Sequence, residues 1–199
     1  MRVHQIINSI YKSNTFILSD DNSDKAYWLI DVGDITPILE YVGDGIVMGL
    51  FLTHTHYDHI YGINQLLLHY PDLIIYTNEF GFSALQSPKL NYSRYHQDAE
   101  DLVCAKMDNV KICRNGDSIM IAGNNMISVI ETPGHDKSCL CFQTEDTFFS
   151  GDSYIPGAKI FTSFLHGNKI DAQTSLERII NLSQGKMLYP GHGNSIFIQ

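Results

Sequence analysis

Residues 53–59 of the chain are Thr53-His54-Thr55-His56-Tyr57-Asp58-His59. This run follows an apolar segment that predicts a buried strand and precedes a segment with helical spacing of apolar residues. In an extended chain leaving the strand, His54 and His56 project to the same side, and Asp58 and His59 follow where the chain turns. Imidazole nitrogens and carboxylate oxygens are ligands that divalent metals such as zinc prefer. Four such ligands are more than one catalytic ion needs from a single segment, so the run predicts two neighbouring ions rather than a solvated polar loop.

Three later segments each place a ligand-type residue beside glycine at the end of a predicted strand. They are Thr132-Pro133-Gly134-His135, Ser150-Gly151-Asp152 and Tyr189-Pro190-Gly191-His192-Gly193. Glycine permits a sharp change of chain direction and a close approach of other groups. Each segment alone is typical of an ordinary turn, but with the run at 53–59 they predict one metal centre. Its candidate ligands are His54, His56, Asp58, His59, His135, Asp152 and His192.

The segments HxHxDH, TPGH, SGD and YPGHG, in this order, resemble the metallo-β-lactamase superfamily over nearly the whole chain. The resemblance implies an α+β fold, a four-layer αββα sandwich built as a single domain over residues 1–199. It places the metal cleft at one edge of the two sheets. It also implies a first ion held by His54, His56 and His135, a second held by Asp58, His59 and His192, and Asp152 as the ligand that bridges both.

Within that superfamily, the ligand set resembles glyoxalase II, which hydrolyses thioesters. The resemblance implies a binuclear metallohydrolase with two divalent ions, zinc first and iron or manganese as alternatives, because the same ligands suit all three. The expected reaction is attack of a metal-bridged hydroxide on a thioester or ester, with Asp58 as a catalytic residue that also accepts a proton. Because the chain ends at Gln199, we expect a short form without the C-terminal helical region that helps glyoxalase II bind glutathione.

Two residues after the bridging aspartate are candidate substrate contacts. Lys159 lies near the position of a basic substrate-binding residue of glyoxalase II, with a spacing about two residues short, and is otherwise a surface lysine. Tyr154 follows Asp152 by two residues, whereas lactonases of this fold have a tyrosine three residues after that aspartate; it either polarises a carbonyl or packs.

Several other functions stay open at this stage. A lactonase of the same fold and a mononuclear-iron persulfide dioxygenase share most of the ligand set. A tRNA-processing nuclease is longer and needs an RNA-clasping insertion, and a non-catalytic relative usually lacks some ligands. Antibiotic hydrolysis is not expected, because true β-lactamases usually lack an aspartate at the position of Asp152.

The composition narrows the class of partner. The chain has 199 residues, 44% apolar and 18% charged, which excludes a disordered or fibrous protein. A formal net charge of −9 argues against a general binder of nucleic acid or of anionic membranes. We therefore expect a small-molecule substrate, which two metal ions would allow to be anionic. No apolar segment has the length of a signal peptide or a membrane span, so the expected location is the cytoplasm.

The remaining pattern predicts mostly strands with a few helices. The first 50 residues are predicted to be strands, and the four cysteines, which form no CxxC motif, are predicted to be buried and reduced. Predicted strands cover 15–18, 27–31, 46–53, 73–77, 110–113, 118–122, 126–131, 140–144, 147–150 and 187–189. Predicted helices cover 61–70, 78–86 and 171–183, and 87–108 is predicted to be a loop with a short helix.

Overall fold

The computed structural model describes residues 1–20, 25–97, 100–121 and 125–199. Within these residues the strands form two six-stranded sheets. The first sheet has the strand order β1-β2-β3-β4-β5-β6 and comprises Arg2–Ile7, Asn14–Ser19, Ala26–Ile30, Ile46–Phe51, Ile74–Thr77 and Val110–Ile112. The second has the order β12-β11-β10-β9-β8-β7 and comprises, in chain order from β7 to β12, Ser118–Met120, Met126–Glu131, Leu140–Gln143, Thr147–Gly151, Met187–Pro190 and Ile196–Phe197.

The helices connect the parallel strands of these sheets. β3 to β6 run parallel in the first sheet, and β10 pairs in parallel with β11 in the second. Parallel neighbours need a crossover connection, and four of the five helices lie in such connections of the first sheet. The helices are α1 Ile35–Val42, α2 Tyr57–Ile60, α3 Ile63–His69, α4 Glu79–Ala84 and α5 Lys169–Leu182.

Successive side chains of each strand face opposite sides of the sheet, and the buried apolar ones form three clusters. Phe16 and Leu18 of β2 face the second sheet, where they join a cluster with Phe149 of β10. The intervening Ile17 faces the other way and packs in the cluster that contains the buried side chains of α1 and α3. Likewise Phe148 faces away from the first sheet, toward α5. Helices therefore cover both outer faces of two packed sheets, which confirms the predicted αββα sandwich.

One local prediction was wrong, and one short helix was missed. The segment 35–42 is helix α1 rather than strand, because its buried residues Ile35, Ile38 and Val42 recur at helical spacing. The predicted helix 61–70 is confirmed as α3, Ile63–His69, but the sequence analysis missed the short helix α2, Tyr57–Ile60, which precedes it. At Gly62, between the two helices, a Cβ atom would lie 2.1 Å from the carbonyl oxygen of Gly33. Helix α2 carries Asp58 and His59.

Other boundaries differ by a few residues. Strand β7 ends at Met120, and Ala122, the end of the predicted strand 118–122, lies outside the described residues. The segment 87–108 contains two short 3₁₀ helices, Ser93–Tyr95 and Met107–Asn109. All four cysteines are buried and free, as predicted. In the portion of the chain that is described, no helix is both long and apolar enough to cross a membrane.

Candidate metal centre

The candidate ligands meet where strands of both sheets end. His54 and His56 follow β4 of the first sheet, while Asp152 and His192 follow β10 and β11 of the second. A backbone hydrogen bond from the Leu140 amide to the Thr53 carbonyl, 2.7 Å long, joins the two sheets at this edge. The centre is therefore assembled from both halves of the chain.

The first group of ligand atoms consists of three buried imidazoles. His54, His56 and His135 offer nitrogens that all lie within 4.8 Å of one another. The Nδ1 atom of His56 lies 3.0 Å from Nε2 of His135. Nε2 of His54 is buried and has no hydrogen-bond partner among the described residues. A buried nitrogen without a partner is costly, and a metal ion at this point would satisfy it.

The second group combines two imidazoles with a carboxylate. Asp58, His59 and His192 also offer ligand atoms within 4.8 Å of one another. Nε2 of His59 lies 3.3 Å from Nε2 of His192. Asp58 Oδ2 lies 3.4 Å from each of these nitrogens.

Asp152 lies between the two groups. Its Oδ2 atom is 3.6 Å from His135 Nε2 of the first group and 3.4 Å from His192 Nε2 of the second. Its Oδ1 atom is 3.6 Å from His59 Nε2 and has no hydrogen-bond partner in the described structure. The structure thus brings all seven residues predicted from the sequence into one cluster.

Gly191 makes room for this carboxylate. A Cβ atom there would lie 2.1 Å from Asp152 Oδ1 and 3.1 Å from the Cε1 atom of His59. Any side chain would displace one of these groups, because real Cβ atoms do not approach so closely. The glycine of the 189–193 segment therefore serves the packing of the site as well as the turn.

The outward-facing nitrogens of four of the five imidazoles are hydrogen-bonded to neighbouring groups, and that of the fifth, His56, lies 3.6 Å from a carboxylate oxygen of Asp136. Such outer contacts fix the ring and the tautomer, as they do around metal sites in general. Four rings donate from Nδ1 and so turn Nε2 toward the cluster: His54 to Thr53 Oγ1, His59 to Asp31 Oδ2, His135 to the Phe161 carbonyl and His192 to the Tyr11 carbonyl. His56 is reversed, with Nδ1 toward the cluster and Nε2 toward Asp136. This donor arrangement fits metal binding.

The pKa shifts of the histidines differ between the two ligand groups. Burial lowers the pKa of His54 well below its ordinary value, and burial also lowers the pKa of His135, so both rings are neutral as metal ligands must be. Burial opposes the charge on His192, but hydrogen bonds to Asp152 and Asp58 raise its pKa to about 10. The carboxylate end of the cluster therefore stabilises positive charge, which is what a divalent ion supplies.

Asp31 is a functional residue that the sequence analysis missed. It is buried, and its Oδ1 accepts from the Thr53 amide at 2.7 Å. Its Oδ2 accepts from Thr53 Oγ1 at 2.6 Å and from His59 Nδ1 at 2.9 Å. With both oxygens occupied, Asp31 orients His59 rather than offering a free ligand atom. The signal was its position at the end of the strand beside β4, since the ends of neighbouring parallel strands meet at one edge.

Asp136 supports His56 in the same way and was also missed. Its Oδ1 accepts hydrogen bonds from the amide and the hydroxyl of Ser138, at 2.8 and 2.6 Å. Its Oδ2 is buried, has no hydrogen-bond partner in the described structure and lies 3.6 Å from His56 Nε2. Asp136 is thus positioned to hold His56 with Nδ1 toward the cluster.

We expect Asp136→Asn to weaken metal binding by about 10–100-fold, the usual range for the loss of such an outer contact. The two donors of Ser138 would retain the amide oxygen, so the amide NH₂ would face the N–H of His56. Competition with a chromophoric chelator measures the affinity. Asp72→Asn, at an exposed aspartate before β5, is the matched control. Equal metal affinity in the Asp136 variant and the control would contradict this role.

The two predicted substrate contacts lie apart from the cluster. Tyr154 packs beside Ile179 and Leu188 in the cluster between the second sheet and α5. Lys159 is exposed and borders a small cavity of about 60 Å³ that also touches His135 and Asp152. Neither is among the described residues that line the main cavity.

The main cavity, about 450 Å³, opens directly on the candidate ligands His56, Asp58, His135, Asp152 and His192. Its other walls are aromatic or imidazole rings: Tyr11, Tyr57, Tyr92, Tyr95, His96, Phe161 and Phe164. A volume of this size is typical of small-molecule sites. Sequence reasoning did not find this wall, because its rings come from four separate segments.

Comparisons with known proteins agree with this architecture. Hydroxyacylglutathione hydrolase from Salmonella arizonae is 27% identical over 168 residues, which are 82% of this chain and 56% of that protein. The chain therefore spans little more than half the length of this curated relative. The crystal structure of the B3 metallo-beta-lactamase BLEG-1 matches this chain with a TM-score of 0.88 at 24% sequence identity. The match covers 99% of this chain and 94% of the BLEG-1 chain.

A structure of TTHA1623 in a di-iron-bound form matches this chain with a TM-score of 0.81 at 21% sequence identity. The match covers 98% of this chain and 95% of the TTHA1623 chain. At these identities the two structures show a shared fold. The profile of the family described as the metallo-beta-lactamase superfamily matches residues 21–192, which include all seven candidate ligands. The chain belongs to the metallo-beta-lactamase superfamily.

Proposed function

We propose that this chain is a binuclear metal-dependent hydrolase that cleaves thioesters or esters, as glyoxalase II does. The observation that carries the proposal is the position of Asp152, whose two oxygens lie 3.4–3.6 Å from nitrogens of both ligand groups. In this scheme His54, His56 and His135 would hold one ion, Asp58, His59 and His192 would hold the other, and Asp152 would be available to both. Two divalent ions, zinc in the first instance, would polarise a carbonyl oxygen and lower the pKa of water enough to supply a nucleophile near neutral pH.

The residues of the chain have separate tasks in this reaction. Asp58 lines the main cavity, and its side chain is 13% exposed. Burial raises its pKa, but the charge on His59 and a hydrogen bond from His192 outweigh this, so the pKa lies below its ordinary value. Asp58 is therefore ionised at neutral pH, the state that both a metal ligand and a proton acceptor require. The aromatic walls orient the substrate and exclude bulk water from the cluster.

The name of the Salmonella relative supports the thioester class, since hydroxyacylglutathione is a thioester. Lactone hydrolysis on the same groups is the nearest alternative, because attack on a lactone carbonyl needs the same machinery. A persulfide dioxygenase with one iron would need only one ligand group to be filled.

Metal analysis tests the proposal first. We expect about two metal ions per chain when protein purified without chelator or added metal is measured by elemental mass spectrometry. Removal of the ions by a chelator should abolish hydrolysis of a thioester, ester and lactone panel, and zinc should restore it. About one iron per chain, with oxygen consumed in the presence of a persulfide, would contradict the binuclear hydrolase.

A further inference from the structure

Aromatic rings form two walls of the main cavity, one beside each ligand group. On the first side, the ring centroid of Phe164 lies 4.7 Å from that of His56, 4.9 Å from Tyr92 and 4.8 Å from Phe161. Tyr92 is itself 4.8 Å from His56. These rings are therefore in contact with the candidate ligands and with one another.

The second wall stands beside Asp58 and His192. Tyr57 precedes Asp58 in the chain, and its ring lies 5.1 Å from that of His96. Tyr11 lies 5.5 Å from His96, and its carbonyl accepts a hydrogen bond from Nδ1 of His192. Both walls line the cavity that opens on the candidate ligands.

The first wall is held in place by buried polar contacts. Tyr92 has a φ of +63°, a left-handed conformation that is uncommon for a bulky residue and is often found at functional sites. The neighbouring Asn91 is fully buried and donates from Nδ2 to the carbonyls of Ala84 and Leu102, at 3.1 and 2.9 Å. Its Oδ1 accepts from the Ser93 amide at 3.0 Å. The ring of Tyr92 is thus presented by a fixed segment, which lowers the entropic cost of binding.

The walls of this cavity carry aromatic and imidazole rings rather than lysine or arginine side chains. No lysine or arginine is among the described residues that line it. Arg94, next to the first wall in sequence, is exposed and paired with Asp101, to which its Nε donates at 3.2 Å. Lys159 borders the small neighbouring cavity that also touches His135 and Asp152 and does not line the main one. A glutathione group carries two carboxylates, whose recognition normally uses arginine or lysine, whereas a neutral ring needs only apolar and aromatic contacts.

We propose, resting on the hydrolase function above, that the cavity binds a neutral aromatic group of the substrate, seated between Phe164 and Tyr92 on one side and Tyr57 on the other. The substrate class is therefore aryl-bearing thioesters or esters rather than glutathione thioesters. A cavity of about 450 Å³ exceeds the ~150 Å³ known to hold one benzene ring, which leaves room for the scissile group. The ring can lie on the acyl side or on the leaving-group side of that bond.

Binding of unreactive amides tests this without any turnover. We expect N-ethyl-2-phenylacetamide to bind at least about 10-fold more tightly than N-ethylacetamide, measured by ligand-observed NMR on the metal-loaded and the metal-free protein. Tyr57→Leu and Phe164→Leu should each reduce this ratio by about 3–10-fold. Phe197→Ala removes an exposed ring of β12 outside the cavity and is the matched control. Equal binding of the two amides would overturn the proposal.

A kinetic panel then locates the ring and separates this proposal from the function on which it rests. The thioesters are the phenylacetyl and acetyl thioesters of N-acetylcysteamine and S-lactoylglutathione, with phenyl acetate as the leaving-group probe. We expect kcat/KM to be at least about 10-fold higher for one of the aryl substrates than for the acetyl thioester. A preference for S-lactoylglutathione that Lys159→Ala removes would overturn the aromatic assignment. Absence of all hydrolysis would contradict the hydrolase function, while the amide ratio would still decide what the cavity binds.

Discussion

Asp152→Asn is expected to lower the metal content to one ion per chain or less and to reduce kcat/KM by about 10³-fold or more. The carboxylate lies close to both groups, 3.6 Å from His135 Nε2 and 3.4 Å from His192 Nε2. The amide has the same shape but no charge, so two like-charged ions would lose the anion placed between them. Elemental mass spectrometry and steady-state kinetics measure the two effects.

The control for this substitution is Asp146→Asn, in the exposed turn before β10. Circular dichroism should show the same fold for both variants, because the amide fits the space that Gly191 leaves. Two ions per chain in the Asp152 variant, with turnover within about 10-fold of the parent, would refute the bridging role.

Asp58→Ala is expected to remove one ion while the other remains, and to reduce turnover by about 10²–10⁴-fold. Asp58 Oδ2 lies 3.4 Å from Nε2 of both His59 and His192, but it belongs only to the second group. Its side chain lies at the cavity surface, so the truncation leaves no closed void in the core. The ion held by the three imidazoles of the first group should keep its affinity, as chelator competition would show.

The far-UV circular dichroism spectrum of the metal-free Asp58 variant should match that of the parent protein. Such a match would separate loss of function from loss of fold. Retained turnover with a single bound ion would contradict the two-ion reaction and would favour chemistry on the first group alone.

The sequence was sufficient to predict the parts of the site that belong to local sequence motifs. His54, His56, Asp58 and His59 lie in one run, and the glycine segments mark the other three strand ends. Because strand ends on the same edge meet, all seven residues could be predicted to converge, and the structure brings them together. The sandwich fold was confirmed as well.

What the sequence could not supply depends on contacts between distant segments. Asp31 and Asp136 are ordinary aspartates until the fold places them behind His59 and His56. The aromatic walls bring together residues as far apart in the chain as Tyr11 and Phe164. No local sequence pattern predicts that these residues lie close together. The segment of helix α1 was predicted to be a strand, and its β-branched residues do favour strands. In the structure it is a helix because its apolar residues pack on one face.

The division of the candidate ligands between the two halves of the chain has a thermodynamic consequence. Four of them follow strand β4 in the first sheet, and three follow turns and strands of the second. Ions at this edge would act as a reversible cross-link between the two sheets. By linkage, a ligand at a thousand times its dissociation constant stabilises the folded state by ~4 kcal/mol. The affinity of this protein for its ions and its resistance to unfolding would then be two measures of the same free energy.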